Sequence, residues 1–280
     1  GVDDTSHAVA HLAHAADATM CRNCGAPLEH TVVLVGHLGH WHCPNCDATR
    51  PSPTISATQI ALTRSGQHIT VRYPTNAGPP ITMTIDSPLP GLHNSYNIVA
   101  AFAASWAIAA RTQRPQDVDA VARVIAETKP AFGRGEIISI DDKRIQLLLA
   151  KNPTGVNQNV RTLLNSPGEL HVLVLLNDRT ADGQDVSWIW DVDWEPLRPR
   201  LASLTLGGDR AWDLALRFQY GGFDMDKIKV APDPSNALDI ALNDTLPGQT
   251  LHALPTYTAM IDLRRVLTQR GHTAAYWSDE

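Results

Sequence analysis

Gly91-Leu-His-Asn-Ser-Tyr-Asn-Ile-Val-Ala-Ala-Phe-Ala-Ala104 is the stretch around which the rest of the chain is read. A glycine closes a turn or strand, two amides follow at Asn94 and Asn97, and an Ala-rich run carries them on as helix. Side chains three apart at a helix start face the same way, so both amides can offer donors and acceptors to a base or ribose. The alternative is an ordinary N-cap at Asn94 and a solvated first-turn residue at Asn97. Small residues behind the amides let this helix pack closely on a sheet. Further on, Phe132-Gly-Arg-Gly-Glu136 sets Arg134 between two glycines at the start of a new pattern.

Upstream of that helix, the four cysteines fall in Cys21-Arg-Asn-Cys24 and Cys43-Pro-Asn-Cys46, with eighteen residues between the pairs. Two thiolates on one tight turn grip one side of a tetrahedral ion, and a second such turn closes the other side. His30–Val35 and Gly39–His42 read as two strands joined by a Gly-bearing turn. The expectation is a zinc ribbon over about residues 19–50, with zinc held by Cys21, Cys24, Cys43 and Cys46. Four protein ligands leave no open position, so the zinc would be structural. Two disulfides or a redox pair are the competing readings. Disulfides lack a secretory context, and a thioredoxin-like motif needs only one pair. With every thiol on zinc, no cysteine nucleophile remains.

Residues 5–18 read as an Ala- and His-rich helix in which His7, His11 and His14 recur at helical spacing. A solvated face is the expectation there, since no acidic partner stands nearby. Gln59–Leu62, Gln67–Tyr73 and Ile81–Ile85 alternate as antiparallel strands, Asn76–Pro80 is a turn, and Pro115–Glu127 is a helix opened by its proline. From about Lys129 the pattern changes to strands near Ile137–Ile140, Ile145–Leu149, His171–Leu176, Ala202–Leu206, Ile228–Ala231 and Thr250–Leu254. Helices are expected at Arg210–Tyr220, Ser235–Asn243 and Thr256–Arg270. Such alternation implies an α/β fold with a mostly parallel sheet and helices on both faces, and ligands at the carboxyl ends of strands.

Two loops stand at such ends. Leu149-Ala-Lys-Asn-Pro-Thr-Gly-Val-Asn-Gln158 brings Lys151, Asn152 and Thr154 to a helix start, where an anion or nucleotide is suited and an ordinary strand-to-helix turn is the rival reading. The second, Leu176–Asp193, carries Asp178, Asp182, Asp185, Asp191 and Asp193 among Trp188 and Trp190, with Trp194 just beyond. Exposed indoles are costly unless they pack on the core or on a partner. One of these aspartates could orient a catalytic histidine, though most of them must be turn formers and caps.

The 280 residues suffice for two domains; 43% hydrophobic and 19% charged content fits a globular chain, and a net charge of −6 argues against a nucleic-acid surface. No run is long enough for a membrane span, and the first residues are polar and acidic rather than signal-like. No Gly-Lys-Ser/Thr phosphate loop is present, and the start without Met suggests a fragment whose front part lies upstream.

The Gly91–Ala104 stretch resembles the adenine-side motif of the Mur ligases, ATP-dependent enzymes that build the peptidoglycan stem peptide. Arg134 stands where that family places a phosphate- or ribose-reading arginine. The inserted ribbon, Lys151-Asn-Pro-Thr-Gly155 and Asp182-Gly-Gln-Asp-Val-Ser-Trp188 together resemble one branch, the MurT family, over essentially the whole chain. That resemblance implies the rear of a Mur ligase central domain at 1–128, with the ribbon inserted, and a Rossmann-like C-terminal α/β domain at 129–280. It implies the ligase-like subunit of a glutamine-dependent amidotransferase, which uses ATP and Mg to amidate the α-carboxyl of D-glutamate in lipid II to D-isoglutamine. A GatD-like glutaminase would be its heterodimer partner, releasing ammonia with a cysteine and a histidine. Asp185 is the position matching the family aspartate that completes that triad, with Asp182 and Trp188 at the partner interface. Asn94, Asn97, Arg134, Lys151, Asn152 and Thr154 would be the nucleotide contacts. A cytoplasmic protein is implied, peripheral at the inner face of the membrane where lipid II is made. The chain departs from other Mur ligases in lacking an Asp-Tyr-Ala-His-x-Pro motif, which puts their usual substrate contacts in doubt. A stand-alone stem-peptide ligase is the alternative, and a zinc-ribbon nucleic-acid module a more distant one.

Overall fold

Antiparallel strands build one part of the chain and parallel strands the other. They belong to two units, Gly1–Lys129 and Pro130–Glu280, in a computed structural model that describes residues 1–12, 18–63, 65–75, 78–130, 132–165 and 167–274.

In the first unit, β1 (Glu29–Val35) and β2 (Leu38–His42) form an antiparallel hairpin. A separate sheet runs β3 (Ser56–Thr63), β4 (Gly66–Tyr73) and β5 (Ile81–Ser87), antiparallel throughout. Two helices follow, α1 (Leu92–Arg111) and α2 (Val118–Glu127). In α1 the buried residues are Leu92, Ser95, Ile98, Val99 and Phe102, spaced three and four apart as one helix face requires. They share a core with Ile69, Val71, Tyr73 and Ile85 of the sheet. The Tyr73 ring lies 5.4 Å from Phe102 and 5.3 Å from Trp106. Buried Gln67 fixes the entry to the helix: its amide donates to the Leu89 carbonyl at 2.7 Å, and its carbonyl accepts from the Ser95 hydroxyl.

Three expectations for this unit change. The alanines of α1 are mostly on its outer side, with Ala100, Ala101 and Ala104 exposed, so bulky aliphatics make the sheet contact and alanine supplies helix propensity. The second helix begins at Val118, where the Asp117 side chain accepts from the Ala120 amide at 2.8 Å; Pro115 lies ahead of it. Residues 5–12 are not helical. The Asp4 carboxylate takes the Ser6 and Ile60 amides, and Val9 bridges to Val33 with its amide on the Val33 carbonyl at 2.9 Å. Local side-chain bonding and strand pairing thus override the Ala-rich helical signal. The rest of that expected helix at 13–17, with His14, and Asn76 and Ala77 of the expected turn, lie outside the described residues.

The second unit holds one six-stranded sheet in the order β10-β9-β8-β11-β7-β6. The strands are β6 (Arg134–Ile140), β7 (Lys143–Leu148), β8 (Leu170–Leu175), β9 (Leu201–Gly207), β10 (Ile228–Val230) and β11 (Thr250–Pro255). All neighbours are parallel except the β6–β7 hairpin at one edge. Helices α3 (Pro153–Leu164), α4 (Ala211–Tyr220), α5 (Pro234–Asp244) and α6 (Tyr257–Gln269) cover it. Every residue of β8 is buried, because the strand is central and covered on both faces. Leu170, Val172 and Val174 pack with α3 and α4 residues such as Val160, Leu214 and Phe218. Leu173 and Leu175 point to the opposite core, with Leu238 of α5 and Leu263 of α6. Strands β7, β11, β8, β9 and β10 therefore end at one common edge, which carries both loops singled out in the sequence.

Candidate functional site

The cysteines meet at the foot of the β1–β2 hairpin. Their sulfurs all lie within 4.8 Å of one another, with Cys21 Sγ 3.7 Å from Cys46 Sγ and Cys24 Sγ 3.5 Å from Cys43 Sγ. The four are free thiols, far outside the ~2 Å of a disulfide. A tetrahedral ion with ligands at about 2.3 Å sets sulfurs about 3.8 Å apart, which is close to the spacing found. The Cys21 carbonyl accepts the Gly25 amide at 2.9 Å, and a positive φ of 73° at Gly25 lets the chain turn back immediately after Cys24. The Ala26 amide, the Asn45 side chain and the Cys43 thiol bring the Cys24 thiol down to about 6. At Cys46 the Ala48 amide favours the thiolate, but the neighbouring sulfurs and burial outweigh it and push that thiol up to about 12. Four thiolates so close repel one another unless a cation stands between them.

Asn94 and Asn97 lie on one face of α1, as their spacing implies. The Asn94 side-chain amide donates to the Pro90 carbonyl at 2.7 Å, and its carbonyl accepts from Asn97 at 3.1 Å. Gly91 is the residue that caps α1, so Asn94 is not its N-cap. Asn97 is exposed and Asn94 half-buried.

In the second unit, Arg134 is exposed at the start of β6, opposite Leu148 of β7. Past β7, Lys151 and Asn152 are exposed and Thr154 half-buried. Asn152 is the N-cap of α3, its side-chain oxygen accepting the Gly155 amide at 2.7 Å ahead of Pro153 in the first turn. The turn chemistry expected as the rival reading of this loop is therefore present. Capping occupies one oxygen, and Lys151 stands free of it at the positive end of the helix.

The loop after β8 separates its aspartates by role. Asp178 binds Arg210 at 2.9 Å. Asp193 takes the Asn157 amide at 3.3 Å, and its own backbone N–H donates to the Asn157 carbonyl at 2.9 Å. Asp182 is only 8% exposed. Its carboxylate accepts the Thr258 backbone amide at 2.8 Å and the Thr258 hydroxyl, so it caps the start of α6 from a loop 76 residues earlier. Buried Asn177 adds further ties: its backbone N–H donates to the Thr256 hydroxyl at 3.0 Å, its side-chain amide to the Thr258 hydroxyl at 3.0 Å, and its carbonyl accepts the Asp209 amide at 3.0 Å. Arg179 adds ion pairs to Asp209 at 2.9 Å and Asp262 at 2.8 Å. Asp185 and Asp191 are exposed. Among the described residues Asp185 bonds to Ser187 alone, accepting that amide at 2.8 Å. The Ser187 hydroxyl and amide hold its carboxyl below the usual carboxylate range, so it stays ionised at neutral pH.

A shallow cleft beside Asp185 is lined by Val186, Trp190, Arg210 and Asp213. Trp188 is half-buried against the core, whereas Trp190 is 47% exposed. Of the two residues expected at a partner surface, Asp182 is buried and Trp188 half-buried, and Trp190 is the more exposed indole. Asn177, Thr258 and Arg210 had no signal in the sequence, because their partners lie tens of residues away and only the parallel sheet brings them together.

Comparison with known proteins extends these observations. The family described as MurT ligase C-terminal matches residues 149–260. The chain is 29% identical over 273 residues to the MurT subunit of lipid II isoglutaminyl synthase (glutamine-hydrolyzing) of Streptococcus pneumoniae, covering 95% of this chain and 57% of that protein. It is 26% identical over 256 residues to the same subunit of Staphylococcus aureus, covering 90% and 53%. The chain thus spans little more than half the length of these curated relatives. Among solved structures, a pseudomurein peptide ligase type C from Methanothermus fervidus superimposes with a TM-score of 0.62 at 18% identity, over 90% of this chain and 49% of that one. MurF from Acinetobacter baumannii does so with a TM-score of 0.59 at 20% identity, over 76% and 46%. The fold is that of the Mur-type ligases, and residues 149–260, from the end of β7 into α6, match the MurT ligase C-terminal family in a chain similar to MurT subunits along nearly its whole length.

Proposed function

We propose that this chain is the rear part of the ligase-like subunit of a glutamine-dependent amidotransferase. The complete subunit uses ATP and Mg to activate the α-carboxyl of D-glutamate in lipid II, and ammonia converts it to the amide. A GatD-like glutaminase supplies the ammonia. Residues 1–129 correspond to the rear of the Mur central domain and 130–280 to the C-terminal domain. The cysteine cluster holds one structural zinc, for which four thiolates at near-tetrahedral spacing are the fitting donor set. Within the first unit the half-buried Asn94 and exposed Asn97 are nucleotide contacts, and within the second unit Arg134, Lys151, Asn152 and Thr154 are. The protein works in the cytoplasm at the inner membrane face; in keeping with a peripheral role, no helix among the described residues is long and apolar enough to cross a membrane.

The observation that carries this reading is the state of Asp185. Of the loop's five aspartates, Asp178, Asp182 and Asp193 are bound to arginine, a helix start and asparagine; Asp185 and Asp191 stay exposed, and of these two Asp185 lines the cleft, bonded only within its own turn. A glutaminase thiolate needs a histidine to take and return a proton, and that histidine needs an acceptor on its other nitrogen to fix its tautomer. Asp185 accepts that N–H across the interface. Asp185→Asn in the full-length subunit keeps size and turn bonding but removes the charge. The complex is expected to assemble, glutamine hydrolysis to fall by two orders of magnitude or more, in keeping with a lost triad carboxylate (up to ~10⁴-fold), and added ammonium salt to restore part of the amidation. Unchanged glutamate release from an intact complex would return Asp185 to a turn residue.

A further inference from the structure

The outer face of α4 is apolar where a solvent-facing helix should be polar. Trp212, Leu216 and Tyr220 follow one another at four-residue steps and are 67%, 47% and 77% exposed. The inner face of the same helix already buries Ala211, Leu214, Ala215 and Phe218. An amphipathic helix needs only one apolar stripe, so the second has no use in the folded unit alone. The stripe is also not isolated. Tyr220 meets Trp190 edge-on, with ring centroids 5.9 Å apart. The Arg217 guanidinium lies 5.7 Å from the Trp190 ring, holding that indole in place. Trp190 in turn lines the cleft beside Asp185, and Asp213 lines it from the first turn of α4. Cleft and stripe form one continuous surface from Asp185 to Tyr220.

Resting on the reading of Asp185 above, we infer that Trp190, Trp212 and Tyr220 are the anchors on which the glutaminase subunit docks. A protein whose histidine reaches Asp185 must cover the cleft, and a stable interface takes about 800 Å² from each partner. Asp185 and its loop cannot supply that area. Large aromatics bury roughly 150–250 Å² each when fully covered, so three beside the cleft supply much of what is missing. They are also stiff side chains, so fixing them on docking costs little entropy, which is why tryptophan and tyrosine dominate interface hot spots. The cleft holds the Asp185 carboxylate beside an Arg210–Asp213 ion pair at 2.7 Å, so Asp185 is the charge left for a partner's histidine to meet.

The test measures binding and turnover separately, with the full-length subunit and a GatD-type glutaminase. Trp190→Ala, Trp212→Ala and Tyr220→Ala are each expected to weaken the Kd at least tenfold and leave the thermal midpoint unchanged. At saturating subunit, glutamine hydrolysis with Trp212→Ala and Tyr220→Ala should stay within about twofold of wild type, since neither residue lines the cleft beside Asp185. Leu246→Ala removes a side chain that is 57% exposed near the opposite, amino-terminal edge of the sheet, and it should bind as wild type does. Affinity unchanged in all three aromatic variants, with Asp185→Asn still abolishing hydrolysis, would overturn the docking face and leave the role of Asp185 standing. A wild-type subunit that binds no glutaminase would overturn both. Self-association of the chain, lost on Trp212→Ala while glutaminase affinity is unchanged, would assign the face to a second copy instead and overturn the proposal.

Discussion

On the zinc reading proposed above, the cysteine hairpin and the six-stranded sheet differ in how much of their order rests on apolar packing. In β1 and β2 only Val33, Leu34, Val35 and Gly39 are fully buried, Leu34 and Val35 within the first unit's core, and of the four clustered cysteines Cys24 and Cys46 are not buried. In the sheet, β8 is buried at every position and two cores, one on each face, hold it. Where a short stretch has too little apolar surface to offset the entropy of ordering it, a metal can do so, because binding energy at a site absent from the unfolded chain becomes folding energy. Where the surface is ample, no such device is needed.

Stripping the metal should separate the two most sharply. Structural zinc contributes on the order of 10 kcal/mol or more in small zinc domains. Chelation, or Cys21→Ser, is expected to abolish amide protection in His30–Val35 in a hydrogen-exchange experiment and leave β8 protected. Loss of protection in β8 as well would show that the sheet depends on the cluster. Because protons compete for the thiolates, metal content should also fall as the pH is lowered. The converse experiment is Trp194→Ala. Trp194 is 1% exposed and stacks 5.0 Å from Phe218, so truncation should cost about 3–5 kcal/mol in denaturant melts, with metal content per folded chain unchanged.

Smaller effects refine the picture at the sheet edge. Asp182→Ala removes the cap on α6 and leaves the Thr258 amide without its acceptor, at an expected cost of about 1–2 kcal/mol in a thermal or denaturant melt. It should also loosen the loop that presents Asp185, so hydrolysis by the complex should drop with the stability. Asn152→Ala removes only a local cap and should cost about 1 kcal/mol without touching hydrolysis. The smallest effect concerns Asp3, which pairs with Arg50 at 2.9 Å. Burial raises the Asp3 carboxyl, but the Ser56 and Arg50 hydrogen bonds outweigh it and hold it below its ordinary value. A depressed carboxyl stabilises the fold above the unfolded value near 3.9, and that contribution is lost as the pH falls through the folded value. The difference in thermal midpoint between wild type and Asp3→Asn should therefore be present at pH 7 and disappear in strong acid.

Legibility in the sequence followed the same division. The clustering of the four cysteines could be read because the spacing within each pair is local, and the hairpin between them because alternation is local too. The parallel sheet was legible as alternating apolar runs and helices, down to the carboxyl edge where the loops lie. The α1 helix was found by its amides, yet its alanines face outward, since composition says nothing about which side meets a sheet. The helix at 5–12 failed because a strand some twenty residues on and the Asp4 carboxylate compete for its backbone. The loop was legible in the sequence, but the burial of Asp182 was not. Asp182 looked like a surface acid because Thr258, its partner, lies in another part of the chain. The α4 stripe did carry a signal: a helix with apolar residues at Trp212, Leu216 and Tyr220 as well as at Leu214 and Phe218 is too apolar for one buried face.

The Asp182 cap has a consequence for how fast a partner can be recognised. With Asp182 moored to α6, only Gly183 and Gln184 separate a fixed point of the scaffold from Asp185. Gly183 takes a φ of 87° there, with nothing within 4 Å of where a Cβ would be, so any other residue meets backbone strain rather than crowding. Such a short overhang gives the carboxylate a small arc to explore before any encounter. If the glutaminase docks here as proposed, it requires no prior folding of the loop, and the association rate is set by diffusion and orientation rather than by a conformational search. A substitution at Gly183 should show itself as a slower on-rate before it alters the lifetime of the complex.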